Sequence, residues 1–327
     1  MDHSCLYGRI RGNIMAKANK PVKQGSLKKR LIKSIPFYLL ALPGLTYLFI
    51  NNYMPLPGLV LAFKKYSAKK GIFGSDWKGL DNFRYLFDTP DAWIITRNTI
   101  LYNVAFIVIG TVLAIFVAII LSELRTKVKN VYQSVIILPH MISMVIVSYL
   151  VFGFLSTENG FINNTIFRLL GKEPIEWYMQ KKYWPFILVF VHCWKGVGYS
   201  CIIYLSSILG IDRSLYEAAA IDGAGKLKQI FTITLPLLKP TIIMMALLSI
   251  GRIFYSDFGL FYQVPQNMGP LLSVTNTIDT YVYRGLLTLG NISLSAAAGF
   301  YQSIIGFILV LGSNLLVRRI DPESSLF

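Results

Sequence analysis

The stretch TILYNVAFIVIGTVLAIFVAIIL, residues 99–121, contains no charged side chain. At 1.5 Å per residue, a helix of this length crosses the roughly 30 Å of hydrocarbon in a lipid bilayer. Lipid offers the backbone no hydrogen-bonding partner, so a segment there must satisfy its own N–H and C=O groups as a helix. Five further apolar runs are spaced along the chain. They cover about 35–53, with Pro36 near the start and Pro43-Gly44 inside, then 131–155 with Pro139 and His140, 184–209, 241–262 and 292–317. The pattern predicts an all-α polytopic membrane protein with six transmembrane helices. A soluble fold would have to bury several helices that are apolar all round inside one modest domain.

Composition agrees. Of 327 residues, 54% are hydrophobic and 15% charged, against roughly 25% charged in soluble domains. Mean hydropathy is +0.54. The net charge of +16 raises the question of nucleic acid. The basic residues, however, cluster beside the ends of apolar runs, where they meet anionic lipid headgroups, so membrane lipid and not nucleic acid is the expected partner. Nine Lys and Arg precede residue 35. With that end inside, the inner segments 1–34, 124–130, 211–240 and 317–327 hold eighteen basic residues and the outer segments 55–97, 156–182 and 264–290 hold twelve. The excess places both termini in the cytoplasm. No small-residue cleavage site follows the first run, so no removable signal peptide is expected, and Met15 is a second candidate start. Cys5, Cys193 and Cys201 form no disulfide framework, two of them lying in one apolar run.

In the outer segment 77–87, Leu80, Phe83 and Phe87 fall at helical spacing. A short amphipathic helix sealing the outer mouth is expected there, with contact to an external partner as the second reading.

The inner loop LYEAAAIDGAGKLKQIFTITLPLLKP, residues 215–240, reads as two short helices joined by a glycine turn. Glu217-Ala218-Ala219-Ala220 is strongly helix-forming, with its acid in the first turn, where the helix dipole favours it. Asp222-Gly223 stops that helix, and Gly223 and Gly225 supply free backbone dihedrals. A second helix over 226–234 would carry Leu227, Ile230 and Phe231 on one face. Leu235-Pro236 and Pro240 would return the chain to the bilayer. An alanine face with one carboxylate suits docking into another protein's groove, and an ordinary cytoplasmic loop fits the same residues.

The spacing here resembles the EAA loop of ABC-importer permeases: EAA, three residues, G, nine residues, then I-x-L-P. Glu217-Ala218-Ala219, Gly223, Ile233, Leu235 and Pro236 stand in that register. The fuller carbohydrate-permease form is met by Asp222, Ala224 and Phe231. KGLDNFRYLF (78–87), Asn98-Thr99 and Leu138-Pro139 resemble the same family. ALPGLTYLFINNYMPLPGLVLAFKKY (41–66) is similar to the LplB-type branch, associated with oligosaccharides and larger glycans. The resemblance implies a type I ABC-importer permease fold in a bacterial cytoplasmic membrane. It implies a basic cytoplasmic segment 1–34, a first transmembrane helix with an outer amphipathic segment over 35–97, a core permease domain 98–317 with its coupling loop at 211–240, and a cytoplasmic tail 318–327. Expected partners are a second homologous permease subunit, two ATPase subunits and an extracytoplasmic solute-binding protein. Glu217, Ala218, Ala219, Asp222, Gly223, Ala224, Leu235 and Pro236 would couple to the ATPase. No cofactor is expected in this chain, ATP and Mg²⁺ belonging to the ATPase. The residues concur: Gly225-Lys226 is not a phosphate-binding loop, because Ala220 and Leu227 occupy the positions that would need Gly and Ser or Thr.

Polar groups inside apolar runs are costly and mark cavities or partners. His192, Lys195 and Tyr199 share a helix face, with Trp194 and Tyr204 adding aromatic surface nearby. Arg252, Tyr255, Ser256, Asp257 and Phe258 cluster on the fifth run, and Tyr301 and Gln302 lie on the sixth. Aromatic faces beside hydrogen-bonding groups suit sugars, so this set is the candidate substrate path. Mutual satisfaction of these groups, or interface anchoring by the aromatics, is the plainer alternative for each residue singly. A stand-alone secondary transporter or channel is the rival function, and no internal repeat supports it. An intramembrane enzyme lacks a catalytic constellation, the three histidines His3, His140 and His192 being scattered.

Overall fold

The computed structural model describes residues 27–320. The basic stretch 1–26, with His3 and Cys5, and the tail residues 321–327 lie outside the described residues. The chain divides into two units, Met1–Pro57 and Gly58–Phe327. The first contains helix α1 (Leu27–Leu48), which holds Pro36 and Pro43 and passes into a π turn over Phe49–Tyr53. The helix starts before the expected run, and the apolar span it opens covers Ser34–Phe63.

The second unit opens on two antiparallel strands, β1 (Lys64–Lys65) and β2 (Asp76–Trp77), with Lys64 opposite Trp77. The Lys70 ammonium lies 2.7 Å from Asp76 and holds that carboxyl below its usual range. Helix α2 (Asp81–Asp88) is the expected amphipathic piece, but its buried side chain is Leu86. Leu80, one of the three residues expected to face inward, is exposed just before the helix, and Phe87 is exposed at its end. Phe83 does pack, between Phe63 and Phe300.

Then follow α3 (Pro90–Ser122), α4 (Thr126–Met141), α5 (Met144–Leu155), α6 (Trp184–Leu209), α7 (Arg213–Ile221), α8 (Lys226–Ile250), α9 (Ile278–Leu287) and α10 (Ile292–Ile320). Counted as membrane spans, the described residues give five long apolar helices, and a sixth if α4 and α5 form one. The third run is therefore not the straight span expected over 131–155. It breaks at Ile142-Ser143 with a 93° bend. Pro139 weakens the ladder there, Ser143 starts the new helix by accepting from Ile146 N, and Lys195 answers the freed carbonyls.

The fifth run is displaced too. Its helix starts in the loop, at Lys226, and ends at Ile250, whereas the expected span was 241–262. Leu235, Pro236 and Pro240 thus lie inside one continuous helix. A π turn over Ile230–Thr234 loosens the hydrogen-bond ladder just before Pro236, which cannot donate to it.

In lipid, helices associate by close packing because the surrounding tails are as apolar as the interface. Ala114 and Ala118 are fully buried one turn apart on α3 and meet Cys201, Tyr204, Leu205 and Leu238. Gly198 lets α6 touch α4, since a Cβ there would sit 2.1 Å from the Ile136 carbonyl oxygen. A second cluster at the other end of α3 joins Tyr102, Phe106, Trp184, Leu188 and Phe261. A third ties Leu86, Ile95, Phe254 and Ile278 together. Asn98 and Thr99 fasten α3 to the segment leading into α9. The Asn98 amide donates to Asn276 O at 2.9 Å, and Ile278 N donates to the Thr99 hydroxyl at 3.1 Å.

Candidate functional site

Helix α7 is built at both ends by its own residues. Asp212 accepts from Ser214 N at 2.9 Å, and that hydrogen bond holds its carboxyl below the usual range. At the other end Gly223 takes φ +77°. Its N–H donates to Ala220 O at 3.0 Å, and Ala224 N donates to Ala219 O at 2.8 Å. The two bonds form a Schellman closure around a left-handed residue. Asp222 occupies the cap between them.

Glu217 and Ala218 are exposed and Ala219 is half-buried. Glu217 lines a cavity of about 320 Å³ with Glu123, Tyr216, Lys226 and Gln229. Across it, Lys226 Nζ pairs with Glu123 Oε2 at 2.8 Å, joining the α3–α4 turn to the start of α8. Tyr216 and Thr234 share a hydroxyl contact of 2.9 Å, and the Gln229 amide donates to Ala224 O at 2.9 Å. The loop is thus a folded knob braced on α8. Leu215, Ile221, Leu227 and Phe231 stand bare on it, and Ile230, expected on the same face, turns to the cavity instead. Leu235 and Pro236 belong to the shaft of α8 below the knob.

A cavity of about 550 Å³ lies midway along α3, walled by α3, α6, the far half of α8 and the non-helical residues after it. His192, Arg252, Tyr255, Ser256 and Asp257 from the expected path all line it. The His192 ring stacks on Phe106 with centroids 3.7 Å apart. Ser256 is held by Asp279, whose Oδ2 accepts from Ser256 N at 2.6 Å and from its hydroxyl at 2.7 Å. Asp257 Oδ1 accepts from Leu260 N at 3.1 Å, starting the π turn at Gly259–Gln263.

The remaining expected residues have other neighbours. Lys195 donates to Pro139 O at 3.3 Å, His140 O at 2.7 Å and Ile142 O at 2.6 Å, so its charge serves the α4–α5 break. Tyr199 stacks on His140. Trp194 edges a separate apolar cavity of about 660 Å³ between α5 and α6. Phe258 packs on Tyr262 and Tyr283. Tyr301 bonds Thr96 through its hydroxyl, and Gln302 donates to Phe254 O at 2.7 Å and to Asp279 Oδ1 at 3.1 Å. These six do not line the polar cavity.

The sequence reading missed the wall that α3 contributes, Asn103, Phe106 and Thr111, with Ser200 from α6 and Ser249 from α8, whereas Tyr204, expected as aromatic surface nearby, does line the cavity. Asn103, Ile107 and Thr111 recur every four residues, which puts the polar members of an apolar run on one helix face.

Comparison with known proteins adds an independent line. The family described as binding-protein-dependent transport system inner membrane component matches residues 110–322. The polygalacturonan/rhamnogalacturonan transport system permease protein YteP of Bacillus subtilis is 35% identical over 310 residues, covering 93% of this chain and 94% of that protein. Protein LplB of the same organism is 34% identical over 287 residues, covering 88% and 89%. Among solved structures, a bacterial alginate ABC transporter in complex with an alginate pentasaccharide-bound periplasmic protein superposes with a TM-score of 0.80 at 29% identity. That match covers 90% of this chain and 98% of the matched one.

Proposed function

Since the chain belongs to the family of binding-protein-dependent transport system inner membrane components, we propose that it is the permease subunit through which an ATP-driven importer passes an oligosaccharide. One observation carries the reading: α8 runs unbroken from the loop knob to the cavity wall, Lys226 and Gln229 facing one site and Met245 and Ser249 the other. The cavity mixes hydroxyl, amide and aromatic groups, the surface a sugar needs. The bare apolar residues beside Glu217 offer a docking face for an ATPase subunit, which would hold ATP and Mg²⁺.

The full assembly on this reading is a heterodimer with a second permease, two ATPases and an external solute-binding protein, in a bacterial cytoplasmic membrane with both termini inside. ATP-driven closure of the ATPases would move the knob, and the helices would then open the cavity to one side or the other. Two kinds of variant test it. Glu217→Lys or Gly223→Pro is expected to leave membrane insertion intact and abolish sugar uptake. Ser200→Trp, which fills the cavity, is expected to do the same. Wild-type uptake by either kind of variant, or uptake by this chain alone without any ATPase, overturns the corresponding part.

A further inference from the structure

We propose that the polar cavity takes an anionic sugar, a uronate-bearing oligosaccharide, and that Arg252 is its carboxylate-binding group. The inference rests on the reading of this cavity as the solute path. Arg252 is among the residues that line the cavity, it is exposed, and among the described residues no carboxylate lies within ion-pairing distance of its guanidinium. Nor is the guanidinium needed to cap α8. The carbonyls of Leu247, Ser249 and Ile250 accept from the backbone N–H groups of Gly251, Arg252 and Ile253.

Both oxygens of Asp279 are occupied, and Asp257, which lines the same cavity, is tied through Oδ1 and forms no ion pair with Arg252. Asp257 receives Leu260 N, and Asp279 receives Ser256 and Gln302. The neighbouring cation is occupied as well, since Lys195 serves three backbone carbonyls.

A guanidinium set within a membrane protein and left unpaired is costly. Its planar fork of donors matches a carboxylate with two parallel hydrogen bonds. A neutral sugar could be held by Asn103, Ser200 and Tyr255 alone and would leave that fork unanswered. A uronate offers the same hydroxyl edges and ring faces and answers it too.

The test uses the chain with its co-purifying subunits in lipid nanodiscs, without the binding protein, so that only the membrane site selects. Trigalacturonate and its full methyl ester are titrated by calorimetry at one ionic strength. The acid is expected to bind tighter by about tenfold to a hundredfold, the range for a hydrogen-bonded charge. Arg252→Gln should erase that preference and Arg252→Lys should keep part of it. Equal binding of acid and ester, binding of the acid unchanged by Arg252→Gln, or no binding of the acid overturns the assignment. Uptake by the Ser200→Trp variant separates the two levels. If that variant has lost uptake of the sugar the binding protein delivers, only the anionic preference falls; if uptake is unchanged, the path itself falls.

Discussion

Gly223 shows how much one residue can hold. Its φ of +77° lies where an L side chain is strained, yet a Cβ built there meets nothing within 4 Å. The penalty for Gly223→Ala is therefore purely backbone, about 1–2 kcal/mol, and Gly223→Asn should cost less because Asn tolerates that region. Uptake should fall in the order glycine, asparagine, alanine, at equal membrane abundance. Equal uptake by all three would show that the loop does not need its Schellman closure. Lys195 is the opposite case, a charge whose role is structural. Lys195→Met orphans the carbonyls of His140 and Ile142 at roughly 1–3 kcal/mol each, so the thermal unfolding midpoint in detergent should drop clearly. Lys195→Arg, still a donor, should recover part of it.

Among the elements, α6 was fully legible in the sequence, its expected bounds of 184–209 matching Trp184–Leu209. Trp184-Pro185 and Gly210 punctuate it, and nothing between them competes. α8 was not legible, because apolar residues continue after its helix stops at Ile250 and begin again within the loop before it. Hydropathy cannot see a helix end that is surrounded by apolar residues on both sides. The α4–α5 break was hidden for a different reason. Pro139 signals a weak point, but the carbonyls at the bend are answered by Lys195, which is distant in sequence and whose charge, seen alone, fits a solute path equally well. The cavity was half legible. Arg252 to Asp257 announced themselves as charges and hydroxyls, whereas Asn103 and Thr111 were diluted by the long run around them. Helix contacts give a prediction of their own. Gly198→Ala must push α6 off the Ile136 carbonyl and should cost about 1–3 kcal/mol, while Gly299→Ala on α10, with no atom within 4 Å of its Cβ, should be neutral or slightly stabilising. A thermal-stability comparison in detergent checks the pair, and equal midpoints would refute the close approach.

For the whole molecule, the proposed orientation, with the loop knob inside, says which surfaces should face which compartment. With Cys5 replaced by Ser and Cys193 and Cys201 buried, a cysteine at exposed Lys70 should react with an impermeant maleimide in intact cells. One at exposed Lys228 should react only after the membrane is opened. The reverse pattern would invert the topology. The continuity of α8 has one more consequence. A rod of 25 residues is about 37 Å long, so a swing of about five degrees at its knob would displace its far tip by about 3 Å. That is roughly the separation between hydrogen-bonding atoms. A tilt too small to disturb the buried contacts around Leu238 could therefore make or break the grip on cargo at the opposite end, with the prolines along the rod deciding how much of the swing is lost to flexure on the way.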